Sequence, residues 1–115
     1  MMRDRLFLLT PGFADPAFPG KRFYCWHCAL LEGVLASFPQ LAAAIDVERI
    51  AWPRPRREVV DLISLENQSL PVLVLGDDAE AGLETGRANG RRFVEGKDAI
   101  LRALSVRHGI PEAHP

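Results

Sequence analysis

Apolar positions recur along this chain in two alternating rhythms. The first is a short unbroken run, Leu6-Phe7-Leu8-Leu9, closed by Thr10-Pro11-Gly12. A run of that length bounded by turn residues marks a strand buried on both faces, and it is predicted to be a central first strand. Residues 11–24 then break the pattern. Pro11, Gly12, Pro16, Pro19 and Gly20 give them the composition of a loop, yet Phe13, Phe18, Phe23 and Tyr24 give them more aromatic surface than a free loop carries. The expectation is a segment packed down onto the body of the protein. From Trp26 the rhythm changes to intervals of three and four, with Leu31, Val34, Leu35 and Phe38 on one stripe. That spacing predicts a helix, interrupted or restarted at Pro39.

The alternation continues to the end of the chain. Val47–Trp52 is β-rich and stops at Pro53, while Pro55 suits a first helical position and opens a helix over Arg56–Ile63, with Val59, Val60 and Ile63 on one side. After the turn residues Asn67-Gln68-Ser69, Leu70–Gly76 is predicted as a third strand. Residues 77–90, rich in Asp, Glu and Gly, lead to a fourth strand at Arg91–Glu95, paired with the third as a long-looped hairpin. A last helix runs over Lys97–His108, with Asp98 in its first turn, Ile100, Leu101 and Leu104 facing inward, Gly109 as its stop and Pro111 beyond. The order is β-α-β-α-β-β-α. Two strands joined by a helix form a right-handed parallel unit, to which a closing hairpin adds antiparallel strands. The predicted fold class is therefore α/β, a four-stranded mixed sheet with helices on both faces. A length of 115 residues with 48% apolar content supports one core, so residues 1–115 are predicted to form a single domain with a C-terminal tail at 109–115.

Charge narrows the function classes. The 14 basic and 15 acidic residues are interspersed and leave a formal net charge of -1, so neither a nucleic acid nor a membrane surface is expected as a partner. No apolar run reaches membrane-spanning length and no secretory leader is evident, which makes a cytoplasmic protein the expectation. The two cysteines, Cys25 and Cys28, are too close in sequence to staple distant parts of a fold. Redox chemistry or metal binding is the reading that spacing favours.

The order of elements, the Cys25-Trp26-His27-Cys28 tetrapeptide where the first loop meets the first helix, and a proline opening the third strand at Leu70-Pro71 together resemble the thioredoxin-like superfamily, which includes glutaredoxins and the N-terminal domain of glutathione transferases. Arg3–Leu9 with Phe23–Cys28 also resembles a family of short bacterial thioredoxin-like domains that carry no assigned function. A cysteine at a helix N-terminus faces unsatisfied N–H groups and the positive end of the helix dipole, which favours its thiolate; Cys25 is the predicted nucleophile. Cys28, three positions on and on the same face, is the predicted resolving thiol. His27, when protonated, stabilises the Cys25 thiolate and makes the pair more oxidising. Trp26 offers a flat apolar contact or a cover for the sulfurs.

The expected function is thus thiol–disulfide exchange on a disulfide-bearing protein or a small thiol, with no resident cofactor and with glutathione as a conceivable substrate. A non-catalytic interaction or redox-sensing module is the alternative. Zinc binding is the third reading, weakened because a tetrahedral site needs two more ligands and only His27, His108 and His114 are available. The superfamily resemblance further implies a cis Leu70-Pro71 bond beside the dithiol, with the Leu70 backbone free to pair with an extended substrate. Gly96-Lys97-Asp98 is similar to the segment with which glutaredoxins hold glutathione, and Arg22 stands where those proteins often carry a lysine; an ordinary helix cap is the simpler reading of the former. Arg54, Arg56 and Arg57 are expected on a solvated charged face, and His108 and His114 in an exposed tail. The long 11–24 segment departs from the resemblance, either as a lid over Cys25 or as a satellite aromatic cluster anchoring the loop.

Overall fold

The structure, a computed structural model, describes residues 2–115; Met1 of the predicted domain lies outside them. Nine elements follow in order: β1 (Arg5–Leu9), α1 (Trp26–Ser37), α2 (Pro39–Ala44), β2 (Asp46–Ile50), α3 (Arg57–Ile63), β3 (Val72–Val74), β4 (Gly86–Ala88), β5 (Arg91–Glu95) and α4 (Lys97–His108). The strands form one mixed sheet in the order β2-β1-β3-β5-β4. β1 and β2 are parallel, with Leu6 opposite Val47 and Leu8 opposite Arg49; every other pairing is antiparallel.

β1 lies centrally because all its apolar side chains have a face to bury. Leu6 and Leu8 point to one side, where Leu31 and Leu35 of α1, Leu41 of α2, and Ile100 and Leu104 of α4 pack on them. Phe7 points to the other, against Val59 and Ile63 of α3 and Val72, Val74 and Phe93 of the sheet. The side-chain period of two sorts one run of apolar residues into both layers of the core. Pro39 restarts rather than kinks the helix: it begins α2, where its missing N–H costs nothing.

Four expectations need correction. The sheet has five strands rather than four, because Gly86–Ala88 turns back on β5 through Asn89 and Gly90, both with positive φ. The pair Asn89-Gly90 is a strong short-range hairpin signal, outweighed in the sequence by the polar composition around it. Gly86 is required at its position, since a Cβ there would overlap the Phe93 ring it faces. The third strand is shorter than Leu70–Gly76: Pro71 brings no N–H to the ladder, and Gly76 donates instead to the Asp4 carboxylate at 2.7 Å. Arg56 is not on a solvated face but buried, as the residue capping α3. His108 is no tail residue either, since its Nε2 lies 2.7 Å from Asp4 Oδ2 inside the last turn of α4.

Candidate functional site

The C-terminal end of β1, the start of α1 and the entry to β3 converge at one end of the sheet. Cys25 occupies the N-cap of α1 with extended backbone angles, and its Sγ accepts the Cys28 backbone N–H at 3.2 Å. A sulfur replaces the usual Ser or Asp oxygen in that capping bond, so the first helical turn and the reactive atom are one structural unit. Cys28, one turn on, is only 2% exposed, and its Sγ accepts the Leu9 N–H at 3.4 Å. Burial pushes the Cys28 thiol up to about 12, reinforced by its hydrogen bond to Cys25, by the charge of Cys25 and by Glu32; the Leu9 N–H works the other way. Cys25 is half-buried and both cysteines are free thiols. Leu9, Pro11, Tyr24, Cys25, Cys28 and Ala29, with Glu32 at one end, line a cavity of about 190 Å³ that reaches both sulfurs.

The residues around this pair divide clearly. Trp26 is 63% exposed; its ring meets the edge of His27 at 3.9 Å between centroids and lies 5.8 Å below the Lys97 ammonium. Tyr24 is equally exposed on the other side of Cys25. The Leu70-Pro71 bond is cis, as is Arg54-Pro55. Pro71 is buried, Leu70 packs against the core on both faces of the sheet, and the Leu70 N–H and C=O make no hydrogen bond among the described residues. The aromatic segment is a small hairpin: Phe13 and Phe23 exchange backbone hydrogen bonds, Phe13 stacks on Trp52 at 5.8 Å and Phe18 meets Phe23 edge-on at 5.7 Å. It is anchored on Trp52 as a satellite cluster, and Arg22 closes it by donating to the Gly12 carbonyl at 2.7 Å. Asp98, exposed at the start of α4, pairs with Lys97, and His114 is exposed.

A model of the family described as "Protein of unknown function (DUF3088)" matches residues 3–112. The chain belongs to this family. No curated protein and no solved structure matches it. Membership in DUF3088 therefore brings no activity with it, and the chemistry has to be argued from the residues themselves. Among the described residues no group of three or more His, Cys, Asp or Glu side chains is placed to hold a metal ion, and no helix is long and apolar enough to cross a membrane.

At this end of the sheet Arg56 is buried, against the exposure its sequence context predicts. The Arg56 guanidinium is drawn inward between the segment after β2 and the segment before β3: Nε and Nη2 donate to the Trp52 carbonyl at 2.9 and 2.7 Å, and Nη1 to the Gln68 carbonyl at 2.7 Å. Its backbone N–H donates to the Gln68 side chain at 2.7 Å. The only sequence signal was a Pro-flanked arginine, which reads equally as a surface charge.

Proposed function

We propose that this is a thioredoxin-like domain and that Cys25 and Cys28 carry out thiol–disulfide exchange. The sheet order supports the first half, since a parallel β1–β2 pair extended by antiparallel strands, with α1 rising from a Cys-x-x-Cys, is the arrangement the resemblance implies; β4 is an added edge. One observation carries the second half: the half-buried Cys25 sulfur caps a helix while the buried Cys28 sulfur opens onto the same cavity.

The Cys25 thiolate attacks one sulfur of a substrate disulfide, forming a mixed disulfide and expelling the other sulfur as a thiolate that takes up a proton. The Cys28 thiol then loses its proton and its sulfur displaces the substrate from Cys25, leaving a Cys25–Cys28 disulfide and a second free substrate thiol. Two electrons pass from the dithiol to the substrate. Cys28 stays protonated while Cys25 is free, because burial and Cys25 itself both oppose its ionisation. Once Cys25 is bonded to substrate its charge is gone, and the Leu9 N–H is left to favour the Cys28 thiolate. Tyr24 and Trp26 flank the nucleophile as apolar contacts for a protein substrate, and the unpaired Leu70 backbone is where an extended chain would align. Arg22 donates to the Gly12 carbonyl and Asp98 pairs with Lys97 at the surface, an arrangement that favours a protein disulfide over glutathione as the substrate.

Trapping tests the reading directly. Cys28→Ser protein exposed to a peptide disulfide should accumulate a mixed disulfide on Cys25; if Cys25 stays unmodified and resists alkylation in the folded protein, the dithiol is not catalytic. The exposed Trp26 and Tyr24 also favour a second reading, a docking module without turnover, which a stable complex formed equally well by Cys25→Ser would support.

A further inference from the structure

The two ends of the 11–24 segment reach the dithiol. Pro11, two residues past the end of β1, and Tyr24, next to Cys25, are walls of the cavity of about 190 Å³ onto which both cysteines open. Leu9 and Ala29 complete its apolar lining. The base of the hairpin fixes the two walls relative to each other. The Gly12 and Phe13 N–H groups both donate to the Phe23 carbonyl, at 2.8 and 3.1 Å, and the Phe23 N–H donates to the Phe13 carbonyl at 2.8 Å. Arg22 adds its bond to the Gly12 carbonyl, and the Phe13 ring, stacked on Trp52, ties the hairpin to the segment after β2. The cavity is therefore held open before any ligand arrives. Its one carboxylate, Glu32, is engaged through both oxygens by Arg49 at 2.7 Å, so apart from the sulfurs the walls carry no unbalanced charge. An apolar cavity of about 150 Å³ is enough to take up a benzene molecule. This one has room for a single ring or a branched aliphatic group.

We propose that this cavity is a specificity pocket for the residue beside the attacked cysteine, and that the substrates are protein disulfides in which that residue is a large neutral apolar side chain such as Phe, Leu or Met. This rests on the exchange reading above. Because Cys25 and Cys28 share the cavity with its occupant, the group that fills it has to be tethered within a residue of the sulfur under attack. Filling it takes the occupant together with Leu9, Pro11 and Ala29 out of water, and the same contact holds the disulfide over Cys25. A lysine or glutamate there would bury a charge with no free partner, since Glu32 already has Arg49. A glycine leaves the cavity unfilled. Glutathione, whose cysteine stands between a glycine and a γ-glutamyl group, offers nothing that fits. Ala29 sets the size of the pocket: it lies on the exposed side of α1, so a larger side chain there occupies the cavity without displacing the core.

The test measures kcat/KM of full-length wild type, Ala29→Phe and Ala29→Leu on peptide disulfides that differ only in the residue flanking the cysteine: Phe, Leu, Gly, Lys or Glu. In wild type the Phe and Leu peptides should exceed the Gly peptide by about tenfold or more, as expected for burying one large apolar side chain, with Lys and Glu no better than Gly. Both Ala29 variants should bring the Phe-to-Gly ratio down to about one, a change that partial loss of folded protein cannot produce because it scales both rates alike. If a variant does not fold, the wild-type series decides alone. Equal turnover across that series, or a preference for Lys or Glu, overturns this proposal and leaves the exchange reading standing. An undiminished ratio in folded Ala29→Phe overturns it too, by placing the preference outside the cavity. No turnover of any peptide overturns the exchange reading and this proposal with it.

Discussion

At one end of β1 the buried charge of Asp4 is closed off by Arg107, His108 and a backbone N–H; at the other, the buried charge of Arg56 meets only carbonyl oxygens. The Asp4 side chain is fully buried, with Arg107 donating to both carboxylate oxygens at 2.6 and 2.7 Å, His108 to Oδ2 at 2.7 Å and Gly76 N–H to Oδ1 at 2.7 Å. Every lone-pair direction is used, and the network locks the first strand to the last helix. Arg56 has the hydrogen bonds but lacks the opposite charge. A closed network of this kind belongs to stability, whereas a buried charge without an opposite charge is the sort of compromise that functional sites tolerate.

The sharpest break in that comparison comes from the dithiol. Cys25→Ser should abolish disulfide turnover while changing the urea unfolding free energy by less than about 0.5 kcal/mol, because a serine oxygen caps α1 as well as the sulfur does. A large loss of stability would place Cys25 with Asp4 as a structural residue.

Asp4→Asn should then cost about 3–5 kcal/mol, the usual penalty for stranding one member of a buried ion pair, with the Cys25 alkylation profile unmoved in whatever protein remains folded. The pH dependence follows from the same network. Burial pushes the Asp4 carboxyl up, but Arg107, Gly76 and His108 together hold it below its ordinary 3.8. The unfolded chain therefore binds the proton more readily, so the contribution of Asp4 is fully present above that value and is lost as pH falls through the lower folded one. Urea titrations between neutral and acidic pH should show a steeper acid loss in wild type than in Asp4→Asn.

The dithiol end should lose stability from the opposite side of the pH scale. Cys28 is raised from 9.0 to about 12 in the folded protein, so its contribution is intact below 9.0 and is lost as pH rises toward 12. Reduced wild type should weaken across that window, and Cys28→Ser should not; equal alkaline loss in both proteins would show that another group is responsible. The smallest effect lies at the sheet edge, away from both charges. Gly86→Ala should cost about 1–3 kcal/mol by driving a methyl group into the Phe93 ring, with no change in turnover per folded molecule.

Much of this arrangement was legible in the chain because its signals are local. The apolar run at Leu6–Leu9, the three-and-four spacing after Trp26, and Gly109 after the last helix each act within a few residues of themselves, and their elements lie close to where the spacing predicts them. The Cys25–Cys28 pair was equally legible, since the helix-start position that brings them together is set by neighbours in sequence. β4 was not: Gly86-Arg87-Ala88 has no strand composition, and it is a strand because β5 offers it an edge. Arg56 and His108 depart from their expected exposure for a related reason, as a charged side chain in a polar context gives no sign of which carbonyl or carboxylate will receive it.

The sequence by itself determined the alternation of strands and helices, the two faces of β1 and the cysteine that begins α1, because those depend on backbone propensity and on side-chain periods of two and 3.6. Only the tertiary structure decided that Asp4 is neutralised across residues more than a hundred apart in sequence, that the aromatic loop anchors on Trp52, and that Arg56 turns inward onto the Trp52 and Gln68 carbonyls. Burial and charge pairing are properties of distance in space, and the chain acquires them only when the ends of its sheet are assembled.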